Sequence, residues 1–235
     1  MRIHFLASTL GAGVVALAVG CGGGQGGGNS ARPVTPTVTP TLAPSAIDSL
    51  ILAPDAVGDI VGAKLNWAFK PPPGSTRPPT PAVIDEGNPE CEPLIAPNTD
   101  TVGVVYTAWR SNQYKEDKDT FDHWVFQTVV TFADAKAAMQ LLANAFTKQL
   151  DPCNNAVIRR RDDFRWRLQK TDATDTEVRW TATQLDQDGQ AVGWVCAKEA
   201  RAKNNVVAFV SVCQWGNGAP AATTILDRIS EKIPA

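Results

Sequence analysis

Histidine and long apolar stretches are scarce in this chain. It has two histidines, and past residue 20 only His123 remains. One histidine with no paired C-x-x-C spacing cannot assemble a usual zinc site. No G-x-S-x-G elbow, phosphate-binding glycine loop or two-histidine metal helix occurs, so acyl transfer, nucleotide and zinc chemistry have no motif behind them. His123 beside Asp122 has the chemistry of a general base, but a lone histidine in a strand predicts a surface or packing role. No cofactor or metal is expected. Nor are bases in excess, since 22 Lys and Arg face 24 Asp and Glu, and Arg2 lies in the first segment. That balance argues against nucleic acid as a partner. After residue 20 no apolar run is long enough to cross a bilayer.

The N-terminus carries the strongest single signal. Arg2 and His4 precede an apolar run from Phe5 to Gly20 that ends in Ala18-Val19-Gly20, and Cys21 follows, ahead of a glycine tract to Gly28. This is the pattern of a lipoprotein signal, with Ala18 where leucine is commonest. It predicts a signal peptide over 1–20, cleavage before Cys21, a thioether-linked diacylglycerol on its sulfur and an acyl group such as palmitate on the new amine. Two or more acyl chains anchor a protein stably, whereas one binds marginally. The expected location is the extracytoplasmic face of the cell membrane, with the lipid as the membrane contact. Residues 21–45, rich in Gly and then in Pro and Thr, cannot bury enough apolar surface to offset their ordering entropy and read as a tether. Thr35, Thr37, Thr39 and Thr41 lie beside prolines, the composition of glycosylated stalks. Residues 46–235 are about one domain's worth of chain.

Four cysteines remain, Cys91, Cys153, Cys196 and Cys213, and an even number in an exported chain argues for disulfides. A hairpin turn at Asn204-Asn205, with both residues at positive φ, pairs Lys203 with Val206. Counting outward brings Cys196 opposite Cys213 at a non-hydrogen-bonded position, within reach of a bridge. Cys91 is then left with Cys153. Strand patterns run over 101–114, 121–131, 164–168, 178–182, 190–200 and 206–214, the later ones as an antiparallel meander with one apolar and one wet face. Thr131 opens a Thr-x-x-Asp cap before apolar positions at helical spacing from Ala135 to Leu150. A second amphipathic stripe runs from Ala222 to Ile233, and shorter helices are predicted near 46–52 and 56–61. The fold class is therefore α+β, a twisted antiparallel sheet flanked by helices with two disulfides.

The positions of Cys91 and Cys153, the segment from Gly193-Trp194-Val195-Cys196 through Asn205-Val206-Val207 to Cys213, and the final helix resemble one family. It is the PknH-like extracellular sensor domain of mycobacterial receptor serine/threonine kinases, which also occurs alone in lipoproteins. The resemblance implies a twisted sheet, two disulfides and a broad cleft for an unidentified ligand. No kinase module is visible, so a signal would pass through a partner.

Two surface features suggest binding. Arg159-Arg160-Arg161 together with Arg165, Arg167 and Arg179 form a possible strip for an anionic envelope ligand, although Asp162, Asp163 and Glu177 lie close in sequence. Seven tryptophans suit sugar stacking or an apolar pocket, with Trp124, Trp166 and Trp180 on the apolar phase of their strands. Asp85, Glu86, Glu90 and Glu92 lack the order of a calcium loop and predict a solvated turn. The leading expectation is a non-catalytic, lipid-anchored sensor that binds a small molecule or envelope ligand. A module docking onto an envelope enzyme or receptor is second, and a hydrolase using His123 third.

Overall fold

The computed structural model describes residues 40–69, 74–161 and 163–235. The predicted signal peptide, Cys21 and most of the tether lie outside the described residues. Among the described residues nine strands follow in chain order: β1 (Trp67–Ala68), β2 (Ile84–Glu86), β3 (Ala108–Lys115), β4 (His123–Thr131), β5 (Val157–Arg160), β6 (Arg165–Ala173), β7 (Glu177–Leu185), β8 (Ala191–Lys203) and β9 (Val206–Trp215). All pairings are antiparallel. The sheet order is β1-β3-β4-β9-β8-β7-β6-β5-β2. The meander β5 to β9 is local, and the β3–β4 hairpin, earlier in the chain, adds to the far edge of β9.

The 196–213 pairing follows from the hairpin register. Lys203 opposes Val206 and Cys196 opposes Cys213, with the two Cα atoms 3.8 Å apart. The second bridge joins Cys91 to Cys153 across 5.7 Å between Cα atoms. At the turn only Asn204 has positive φ, which corrects the expectation for Asn205. Asn205 instead turns its side chain inward, accepting from Leu42 N at 2.8 Å and donating to the carbonyls of Leu42 and Phe132. The folded part thus reaches Leu42.

The helices are α1 (Pro54–Val61), α2 (Thr99–Val102), α3 (Ala135–Leu141), α4 (Lys148–Leu150) and α5 (Ala219–Glu231), with 3-10 turns at Pro44–Ser49 and Pro89–Leu94. The predicted strand over 101–114 starts later than expected. The Asn98 side chain caps α2 by accepting from Thr101 N, and the turn that follows begins at Gly103, with φ of 70°. The predicted Thr131 cap is also corrected. Thr131 stays in the β4 ladder opposite Ala108 and Val206, and the Asp134 carboxylate caps α3 by accepting from Ala137 N at 2.8 Å. Between α3 and α4 the chain widens into a π-helical segment, Leu142–Thr147, where the Thr147 hydroxyl donates to the Leu142 carbonyl.

The largest departure concerns the sheet faces. The central strands are buried on both sides, so the predicted wet face does not extend across them. Val125, Val129, Val210 and Val212 pack with α5, α1 and the first 3-10 turn. Trp180, Phe209 and Leu168 pack on the opposite face with α3, Phe146 and the Cys91 region. Continuous apolar runs such as Val206–Val210 are what a strand covered on both faces requires. Among the described residues no helix is long and apolar enough to cross a membrane.

Candidate functional site

The helical layer on the Trp180 face is incomplete. The α3–α4 stretch covers one end, where Phe146, Trp180 and Phe209 lie with ring centroids 5.7 to 6.1 Å apart. Toward Trp124 and the Cys196–Cys213 bridge the sheet floor is left open as a cleft of about 290 Å³. Such a volume is comparable with the smaller ligand sites of proteins. Strands β3, β4, β8 and β9 contribute alternate residues to the floor, β6 and β7 add Trp166 and Ala182, and Pro79, residues 95–97, Arg160 at the end of β5 and Asp163 form the rim.

Strand pairing dictates which side chains meet there. One cross-strand row runs Gln113, Phe126, Ser211, Lys198, Trp180, and the next runs Trp124, Cys213, Cys196, Ala182. In β8 the apolar phase is Trp194, Cys196, Ala200 and Ala202, and Lys198 interrupts it. Its ammonium donates to the Ile95 carbonyl at 3.0 Å and to Ser211 Oγ at 3.1 Å, and it lies 5.6 Å from the Phe209 ring centre. Burial lowers its pKa to about 7, and the charge of Arg160 acts in the same direction. Arg160 is itself held by Asp163 at 2.7 and 3.0 Å. Two of the tryptophans on this face are hydrogen-bonded, Trp180 to the Leu94 carbonyl and Trp124 to Gln113. The buried Nε1 groups of Trp109 and Trp166 have no acceptor among the described residues. Lys198 escaped the sequence reading, although a lysine in phase with Cys196 and Ala200 was a visible signal.

Of the predicted arginines only Arg160 borders the cleft. Arg165, Arg167 and Arg179 share the opposite face of β6 and β7, but Arg179 stands four residues along β7 from Thr183, the partner of Arg167, or about 13 Å. Each is engaged by protein groups. Arg165 donates to Glu86 at 2.6 Å, Arg167 to the Gly189 carbonyl at 3.2 Å, and Arg179 pairs with Glu177 and Glu199. Arg159 and Arg161 lie within 3.9 Å of Asp85. Of the acids that sequence reading assigned to a solvated turn, Asp85 and Glu86 therefore pair with this cluster. Glu92 is in fact buried, hydrogen-bonded by Asn98, and burial pushes its carboxyl up while Arg160 and Asn98 pull it back. His123 contacts Glu116 at 2.5 Å and does not line the cleft. No group of three potential metal ligands occurs among the described residues.

Known proteins show the same architecture. Serine/threonine-protein kinase PknH of Mycobacterium bovis is 25% identical over 193 residues, covering 79% of this chain and 31% of that protein. PknH of Mycobacterium tuberculosis is 24% identical over 193 residues, covering 79% of this chain and 30% of that one. The chain thus spans roughly a third of the length of these curated relatives. The crystal structure of the extracellular domain of PknH from Mycobacterium tuberculosis matches with a TM-score of 0.71 at 22% sequence identity, covering 83% of this chain and 97% of that one, which shows the shared fold. The family model described as the PknH-like extracellular domain matches residues 42–232, and with nearly the whole described fold inside that match, the chain belongs to the PknH-like extracellular domain family.

Proposed function

We propose that the protein is a non-catalytic sensor, a ligand-binding domain held on the extracytoplasmic face of the cell membrane by the lipid on Cys21. The observation that carries this reading is the cleft between β3 and β9: an apolar, ring-lined floor with one buried cation, bordered by three separate rim segments. A few polar groups set in an apolar concavity is the usual construction of a small-molecule site. Membership of an extracellular domain family supports the location, and a response to ligand would pass to an envelope protein partner. Catalysis finds no support in the geometry, because the His123–Glu116 contact lies outside the cleft. Purification of the protein from native envelope followed by mass spectrometry of bound small molecules tests the reading. A stoichiometric envelope compound, lost when Phe126→Asp sets a carboxylate into the apolar floor, is expected. Repeated recovery of ligand-free protein would count against it.

A further inference from the structure

The floor of the cleft carries a charge with nothing inside the protein to neutralise it. Lys198 lies in mid-sheet and is 6% exposed. Both partners of its ammonium are neutral, a carbonyl and a hydroxyl, and no ion pair involves it among the described residues. An ammonium has three hydrogens to donate, so one remains. Charged groups face it from the rim alone, Arg160 and Asp163, and these two pair with each other. Neither β7 nor β9 brings a charge to it, since its cross-strand neighbours there are Trp180 and Ser211. Trp109 and Trp166, whose indole N–H groups also lack acceptors, line the same cleft.

Buried donors without acceptors are uncommon in native proteins, and a buried charge is ordinarily paired. An unpaired ammonium on the floor of a largely apolar cleft calls for an anion from outside. Resting on the reading of this cleft as the ligand site, we propose that its ligand is an organic anion, a carboxylate or phosphate ester that accepts from Lys198 Nζ while a small apolar body lies against Trp124 and Phe126. The alkyl or ring portion accounts for the aromatic wall, and the anionic oxygens account for the lysine in an apolar phase. On the opposite sheet face Arg165 pairs with Glu86, Arg179 with Glu177 and Glu199, and Arg167 donates to the Gly189 carbonyl, and these arginines do not line the cleft.

Tryptophan fluorescence reports on the site, because Trp109, Trp124 and Trp166 line it. Titration of the full chain at pH 6.5 with octanoate, octyl phosphate, octan-1-ol, octyltrimethylammonium and inorganic phosphate separates head from body. The two octyl anions are expected to bind at least tenfold more tightly than the alcohol, the ammonium and inorganic phosphate. In Lys198→Met the anions should fall to the affinity of the alcohol, whose own binding is unchanged. The wild-type comparison needs no variant, so it decides the matter even where Lys198→Met fails to fold. Equal binding of alcohol and anions overturns the anionic assignment and leaves the cleft a ligand site, and equal binding of inorganic and octyl phosphate overturns the apolar body. Absence of saturable binding by any octyl probe removes the assignment, while native ligand capture still judges the cleft.

Discussion

Lys198 occupies a position that the alternation of β8 otherwise gives to apolar side chains. With its pKa about 7 in the folded protein against 10.5 ordinarily, the unfolded chain holds one more proton between those values. Stability from this group therefore rises with pH across the window of 7 to 10.5 and is lowest below it. Relative to Lys198→Met, the wild-type domain is expected to gain about 2 kcal/mol between pH 7 and pH 9. Urea unfolding at the two pH values measures this, and parallel profiles would show a lysine titrating as in water. Asn205 is a second residue whose role lies in its partners. It ties the chain at Leu42 to the end of β4 by three side-chain hydrogen bonds. Asn205→Ala leaves buried backbone groups without partners and should cost about 2 kcal/mol, with faster amide exchange at Leu42.

Among the elements, the β8–β9 hairpin was legible because everything that sets its register is local. The count from Asn204 to the cysteines needs no knowledge of the rest of the fold. The cap of α3 was misplaced because Thr131 and Asp134 both have capping chemistry, and the ladder to β3 and β9 claims Thr131. The disulfides differ in the loops they close, 62 residues for Cys91–Cys153 and 17 for Cys196–Cys213. In the chain-entropy model, replacing the first pair by alanines should cost about 4 kcal/mol and the second about 3, an order that denaturant unfolding of the two double variants would check. Gly87 sets the join of β2 to β5. Its φ is 90° and a Cβ there would stand 2.1 Å from the Val157 carbonyl. Gly87→Ala should therefore destabilise by about 2 kcal/mol, readable as a lowered Tm, and an unchanged Tm would show that this edge is loosely held.

For the molecule as a whole, the burial of both sheet faces divides the work. The α5 side packs Val125, Val129, Val210 and Val212, while the opposite side is covered only in part and keeps a cleft. Near the start of the described residues, Asn205 holds the backbone of Leu42. With lipid on Cys21, the protein is expected in the membrane fraction, and Cys21→Ser should move most of it to the soluble fraction, since removing the thioether-linked chains abolishes stable anchoring. Retention of Cys21→Ser on membranes would point to attachment through another contact.

Fold class, strand order within the meander, both disulfides and the two long helices could be read from residue order, because alternation, turn chemistry and helical spacing act over short stretches of chain. The cleft could not. Its floor joins β3 and β4 to β9 and β8 through pairing between segments some eighty residues apart, so the neighbours of Lys198 and Trp109 are set by where the first hairpin docks. The arginines show the same limit from the other side. Their charge and spacing were plain in the sequence, but Glu86 and Glu199 come from distant strands to neutralise them, and proximity of that kind exists only once the sheet is assembled.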